Sequence, residues 1–397
     1  MSLDPLAKRA AAAAAETGFV HLEATGSADG ILAAAVLAHA LDRAGIPFAA
    51  RFSDAPGAQA VEPESFRFVL DAAPAAASPP DRTLWIHRGL AGDADGSEMH
   101  PRLGGYDGST EASVAALAWL VARYLGRTEP IEGAMALTGA FACRQHLPEL
   151  AGLHAALAQE LAPALVLSPA ALLAEPRPET LASSIDPYLA GIGGKARAAR
   201  ALLDEAGSEL ASALALRLVD QGASARAILA AHRPRLRFAE QDLGTLAFQV
   251  EAAAAAEGPE IALAGLLGES SARERFVSAG EAAVAETLAA LVRVETQARS
   301  AGGLLVLRDG GRLARLRAAL ASDYLCAAPV LALGAGRAWL FARASHAKPG
   351  LSAVVAAREA ARAVGGAAEG TDLESRARVP PGAEEAFVKA VEGAFPP

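Results

Sequence analysis

The residues able to do chemistry in this chain sit where apolar runs end. In VHLEATGSADGILAAAVL, residues 20–37, an apolar start breaks into Thr25, Gly26, Ser27, Ala28, Asp29 and Gly30, and an Ala/Leu/Val-rich stretch follows. A short strand, a tight polar turn and a helix whose N-terminus faces that turn make a unit able to hold a ligand. Asp29 can cap the helix or hold a metal, and Gly30 lets backbone approach a ligand closely. Two more apolar runs end on groups of this kind: SFRFVLD on Asp71, and TLWIH on His87, with Arg88 next. The turn GGYDGSTEAS offers Asp107, Ser109 and Thr110 as caps and Glu111 as a first-turn carboxylate. Cys143 lies at the end of AMALTGAFACRQ.

Positioning these groups requires a particular order of elements. The pattern predicts a helix over 6–17, a strand over 20–23, a helix over 30–44 and strands over 48–52, 65–71 and 83–87. A helix over 114–124 and a buried helix over 134–145 follow. Alternation of this kind, with polar groups at strand ends, describes an open parallel α/β sheet whose ligands sit at the carboxyl ends. Residues 150–240 read as Ala/Leu-rich helices, interrupted by the turn SSIDPYLAGIGG, which reads as an interhelical connection. From about 242 a second α/β part is expected, with a strand over 304–308, a basic helix over 311–321, a hairpin of 329–334 with 337–343, and a helix over 352–364. Arg308, Arg312, Arg315 and Arg317 form either a contact for a phosphate backbone or a solvated helix face. His100, His146 and His346 stand apart and read as satisfied or solvated histidines.

Composition sets limits on these readings. The chain has 397 residues, 52% hydrophobic and 20% charged, which suits a globular protein of two or three domains. Its net charge, from 36 basic and 45 acidic residues, is −9, which argues against a protein that coats nucleic acid generally. Two distant cysteines give no disulfide framework and suit a reducing compartment. No secretion signal or membrane span is read, so a cytoplasmic location is expected.

The 25–30 turn resembles the first motif of the DHH phosphoesterase superfamily, His-x-Asp-Ala-Asp-Gly. Residues 100–113 resemble that family's Asn-Pro…Asp-Gly-Ser-x-Glu stretch. Residues 136–145 resemble Ala-Leu-x-Gly-Ala-x-Gly-Asp-x-Gln, and 184–194 resemble Ser-Thr-Asp-Pro-Phe-x-x-Gly-x-x-Gly. Residues 364–380 are similar to the Gly-Gly-x-Gly-Gly-His…Ala-Gly-Ala-Arg-Ile-Pro run of the DHH-associated C-terminal domain. In order and spacing the pieces resemble an archaeal RecJ-like protein of the GINS-associated nuclease type. The resemblance implies a DHH domain over 1–150, a helical connector over 151–241 and a DHH-associated C-terminal domain over 242–397.

Active members of that family use two metal ions to clamp a phosphodiester and generate hydroxide. Position by position, Thr25 and Ser27 replace the first motif's His and Asp, while Asp29 is kept. Asp71 is kept, followed by Ala72-Ala73-Pro74. Ile86-His87-Arg88 stands where Asp-His-His is usual, and Cys143 replaces an Asp. The implied reading is a vestigial pocket of Asp29, Asp71, His87, Arg88, Asp107 and Cys143, with Arg88 paired to Asp29 or Asp71 in place of metal charge. No metal is expected, the alternative being one Mn²⁺ or Zn²⁺ on Asp29, Asp71, His87 and Cys143. In the C-terminal domain Thr371 replaces a substrate-contacting His, beside Glu369, Glu374 and Arg376, and Ser345, Gly365, Gly366, Gly370 and Arg376 are the implied nucleic-acid contacts. The resemblance implies a catalytically inactive partner of GINS and MCM in the replicative helicase, with single-stranded DNA as a further ligand. A residual metal-dependent exonuclease and a single-stranded nucleic-acid binder are the alternative readings.

Overall fold

The computed structural model describes residues 3–57, 62, 64–74, 82–89, 96–174, 176–301, 303–308, 311–334, 336–346 and 351–395. The Pro/Ala-rich stretch after Asp71 and the tip of the expected 334–337 turn fall partly outside these residues. Two compact units are present. The first comprises the chain up to Leu167 together with Leu236–Gly280, and the second comprises Ser168–Arg235 and Glu281–Pro397.

In the first unit, α1 (Leu3–Glu16), β1 (Val20–Ala24), α2 (Ala28–Arg43), β2 (Phe48–Phe52), β3 (Phe66–Leu70), β4 (Thr83–Ile86) and β5 (Glu98–Met99) follow in order. The strands form one sheet in the order β2-β1-β3-β4-β5, and every pair in it is parallel. Register fixes what stands at its carboxyl edge. Ala24 pairs with Leu70 and Leu70 with Ile86, so Thr25, Asp71 and His87, each the next residue, emerge side by side. The ladder continues through them: Thr25 N–H donates to the Leu70 carbonyl, Asp71 N–H to Ile86 and His87 N–H to Met99.

The helices α3 (Val114–Ala122), α4 (Pro130–Ala142) and α5 (Gly152–Glu160) follow in the same unit. Ser27 and Ser113 cap α2 and α3 by accepting the Gly30 and Ala116 N–H groups. Every residue of α3 is buried, as are nearly all of α2, and α2, α3 and α4 pack on one another. Small residues permit the close approach: a Cβ on Gly139 of α4 would stand 2.8 Å from Ala115 Cβ, Ser113 Oγ and Asp29 Oδ1. The helix Leu243–Ala256 adds the stripe Leu243, Ala247, Val250 and Ala253 to this same core. That burial is why 242–280 belongs to the first unit rather than to the C-terminal part expected from the sequence, and 151–241 is divided between the units.

The second unit contains a five-stranded sheet in the order 367–370, 374–378, 337–341, 330–334, 305–307. Its outer hairpin, Ala367–Gly370 with Glu374–Arg378, was not read from the sequence. The 330–341 pair is the expected antiparallel hairpin. One face packs Leu331, Leu333 and Leu340 on the helices Ala353–Ala363 and Glu384–Ala394, and alternate residues Val330, Ala332 and Phe341 join a second core with Ala314–Tyr324.

The turn at 183–194 is more than a connection. Tyr188, Leu189 and Ile192 are buried in the second core. Tyr188 Oη donates to Glu295 Oε2 at 2.9 Å and the Gly191 N–H donates to the same oxygen at 3.1 Å. The Gln221 side-chain amide donates to the Tyr188 and Tyr324 carbonyls. Among the described residues no helix is long and apolar enough to cross a membrane.

Gly139→Ala is expected to destabilise the protein by about 1–3 kcal/mol through overpacking. Gly393→Ala, where a new Cβ meets nothing within 4 Å, should be neutral or stabilising by up to about 1 kcal/mol. Urea denaturation of the two variants checks both signs.

Candidate functional site

The carboxyl edge of the first sheet gathers Asp29, Asp71, His87 and Arg88, with Cys143 reaching it from α4. Asp29 does not cap its own helix; Ser27 does. Buried in the first turn of α2, its carboxylate crosses to the start of α3 and accepts the Val114 N–H at 2.8 Å and the Ala115 N–H at 3.0 Å. It therefore occupies the positive end of a neighbouring helix. The Cys143 thiol, at the C-cap of α4, donates to Asp29 Oδ2 at 3.1 Å. Arg88 Nε lies 3.3 Å from the same oxygen. Of the two partners expected for Arg88, this ion pair is with Asp29.

Burial is the largest influence on Asp29 and raises its pKa, and the nearby Asp71 charge adds to the rise. Arg88 and the two main-chain N–H groups act in the opposite direction. The fold thus removes this carboxylate from water and answers it with a guanidinium, a helix terminus and a thiol.

Asp71, with φ of 60°, turns out of the sheet into a left-handed conformation. Its Oδ2 accepts the Thr25 and Ser27 hydroxyls, each at 2.7 Å. Ser27 Oγ in turn accepts the Gly30 N–H at 3.0 Å, and a Cβ on Gly30 would stand 2.8 Å from the Thr25 carbonyl oxygen. The two residues that replace His and Asp of the resembling motif thereby bind the retained Asp71.

His87 Nε2 is 3.0 Å from Glu98 Oε2, and both side chains are buried. Glu98 was not singled out from the sequence; its only signal was its place two residues before His100. Nor does His100 stand apart: its ring centroid is 5.8 Å from that of His87. Burial, then the neighbouring His87, pushes the His100 pKa down to about 4. His146 stacks on Phe141 at 4.4 Å, and His346 accepts the Arg343 N–H.

His154 of α5, also missed, supports the α3 terminus. Fully buried, its Nε2 accepts the Ser113 N–H at 3.0 Å, a role open only to the neutral ring. Burial and the Arg88 charge push its pKa down to about 3.

Asp107 does not belong to this group. It is exposed, accepting the Ser109 N–H at 2.7 Å and the Thr110 hydroxyl at 3.2 Å while its own N–H donates to Glu111. Its neighbour Gly108 faces the site instead: a Cβ there would meet the Arg88 carbonyl oxygen at 2.4 Å, and the Gly108 carbonyl accepts the Gln145 side-chain amide at 2.8 Å.

These donors do not fit a cation as they stand. Both Asp29 oxygens accept main-chain N–H groups, Asp71 Oδ2 accepts two hydroxyls, and a guanidinium lies against Asp29 where a divalent ion would need the charge. Among the described residues no three His, Cys, Asp or Glu side chains converge in a metal-holding group.

In the second unit four of the five implied nucleic-acid contacts, Gly365, Gly366, Gly370 and Arg376, lie on or beside one hairpin. Ser345 is exposed in a turn. Gly365, with φ of 76°, precedes Gly366, where a Cβ would meet the Arg378 carbonyl oxygen at 2.2 Å, and Gly370 closes the 367–378 hairpin at φ of 145°. Arg376 pairs across that hairpin with Glu369. Arg308 pairs with Glu385, Arg317 with Glu286, and Arg315 Nε lies 2.8 Å from Glu374 Oε1. Three of the four arginines read as a phosphate contact or a solvated helix face are thus paired with carboxylates, and Arg317 is buried rather than solvated.

His100 and His154 hold protons less tightly in the fold than in the unfolded chain. Their contribution is complete above about pH 6.5 and is lost as the pH falls towards 4 and 3 respectively. Unfolding free energies from urea titrations between pH 7 and 4 should fall, each group supplying up to about 1.4 kcal/mol per pH unit, and His154→Gln should flatten the slope. Removing one side of the buried ion pair, Asp29→Ala, should cost about 3–5 kcal/mol, and Asp29→Leu combined with Arg88→Met should cost less than the sum of the single changes.

No family model matches the sequence, and no curated protein matches it. Solved structures do. The crystal structure of CDC45 from Entamoeba histolytica superposes with a TM-score of 0.59 at 11% identity, covering 99% of this chain and 98% of that one. Exonuclease RecJ bound to manganese gives 0.55 at 16%, covering 100% and 95%. RecJ of Thermus thermophilus with Mn²⁺ gives 0.57 at 16%, covering 98% of this chain and 54% of that one, so the chain spans about half that protein's length. The parallel sheet, the edge bearing Thr25, Asp71 and His87, and these superpositions together establish that the chain has the RecJ-like DHH fold.

Proposed function

We propose that this chain is a RecJ-fold protein without phosphodiesterase activity that serves as a structural subunit of the replicative helicase, joined to GINS and MCM. The observation that carries the loss of cleavage is the Arg88–Asp29 pair at 3.3 Å. A two-metal displacement needs carboxylate lone pairs open to both ions and a hydroxide between them. Here a permanent cation and the α3 terminus use lone pairs of the retained carboxylate, and two hydroxyls occupy one oxygen of the neighbouring one. The scaffold role is supported by the end-to-end likeness to a CDC45, which covers nearly all of both chains. The assignment of GINS and MCM as partners, and of single-stranded DNA as a weaker ligand, is part of the same proposal.

The test joins metal analysis to a nuclease assay. Dialysed protein is expected to carry no stoichiometric Mn²⁺ or Zn²⁺ and to leave 5′-labelled single-stranded DNA and RNA uncut in Mn²⁺. Stoichiometric metal together with cleavage abolished by Asp71→Ala overturns the proposal in favour of a residual exonuclease. For the partners, co-expression with GINS and MCM subunits from the same genome should give a complex that survives gel filtration. Folded protein eluting alone overturns that assignment.

A further inference from the structure

Three large apolar side chains in the second unit lie more than half exposed: Leu216 at 64%, Val219 at 56% and Leu229 at 56%. Leu216 and Val219 belong to the helix Leu210–Asp220, Leu229 to the next helix, Ala225–Ala230. The two helices form an adjacent pair, because His232 Nε2 bonds to the Ala211 carbonyl at 2.8 Å, bringing the end of the second beside the start of the first. Leu229 lies three residues before His232, on the second helix of that pair. Meanwhile Leu214 and Leu218 point the other way, into the buried core. The first helix is therefore apolar on two sides, of which its own unit uses one.

Charge defines the ends of the exposed side. Glu209, Ser212, Leu216 and Asp220 follow at helical spacing, so the stripe begins and ends on an exposed carboxylate. We propose that this face is a docking site for an amphipathic helix of a partner protein, apolar at its centre and carrying Lys or Arg at both ends. Two features select that occupant over a second copy of this chain. Three side chains on two short helices expose on the order of a few hundred Å², well short of the roughly 800 Å² per partner of a stable dimer. A symmetric pairing would also bring the carboxylates of two copies together, whereas basic flanks answer them. The inference stands apart from the proposed function, since it concerns a different unit and holds whether or not the chain cleaves phosphodiesters.

The probe is a fluorescein-labelled helical peptide of roughly 16 residues with leucines at i, i+3, i+4 and i+7 and two lysines at each end, titrated with the full chain. Fluorescence anisotropy should show saturable binding that weakens at least about tenfold in the Leu216→Ser/Leu229→Ser double variant. Binding should also weaken with added salt and fail when the flanking lysines are replaced by glutamates. The substituted side chains are exposed, so circular dichroism and the melting temperature of the variant should match the parent. Equal binding to parent and variant, equal binding of a scrambled peptide, or no binding at all overturns the proposal. Sedimentation equilibrium supplies the remaining outcome: a homodimer abolished by Leu216→Ser would assign the face to a second copy and overturn the heterologous partner.

Discussion

A single carboxylate out of contact with water governs the arrangement of the first unit. Asp29 is buried at the start of α2, and an ionised group there persists only if donors surround it. The fold brings them from three directions: the N-terminus of α3, the thiol at the end of α4, and Arg88 just after β4. Each donor ties an element to α2, so the electrostatic requirement of one side chain and the packing of three helices are the same constraint. Glycines serve it, since a side chain at Gly139 would press on the carboxylate and one at Gly108 on the Arg88 backbone.

The same economy extends along the carboxyl edge. In an open parallel sheet this edge collects side chains from consecutive strands, and it is where ligands bind. Here several of the groups collected there bind one another, while the buried Nδ1 atoms of His87, His100 and His154 meet no hydrogen-bond partner among the described residues. Thr25 and Ser27 donate to Asp71, His87 meets Glu98, and His154 stays neutral so that it can accept the Ser113 N–H. Carboxylate oxygens already engaged in this way, both of Asp29 and Oδ2 of Asp71, offer few open lone pairs to a cation.

The second unit shows a related pattern in its charges. Arg308, Arg315, Arg317 and Arg376 all have glutamate partners, three of them far away in sequence. Such pairs, partly exposed, add modest stability at most. Their larger consequence is to lower the positive potential of a surface that the linear order of residues makes look strongly basic.

Much of this fold was legible in the chain. The alternation of apolar runs with Ala-rich helices, and the polar residue at the end of each strand, placed the parallel sheet and put Asp29, Asp71 and His87 at one edge, because periodicity and strand termini are local properties. That Thr25 and Ser27 stand where the resembling motif has His and Asp was equally plain from residue type. Apart from Arg88, whose pairing with Asp29 was one of two that the sequence offered, tertiary structure decided the partners. It sent Asp29 to a helix 85 residues away, exposed Asp107 while turning Gly108 inward, matched His87 to Glu98 on the next strand, and gave Leu243–Ala256 to the first core. Side-chain pairing and domain membership depend on distances between segments remote in sequence, and residue spacing carries no measure of those distances.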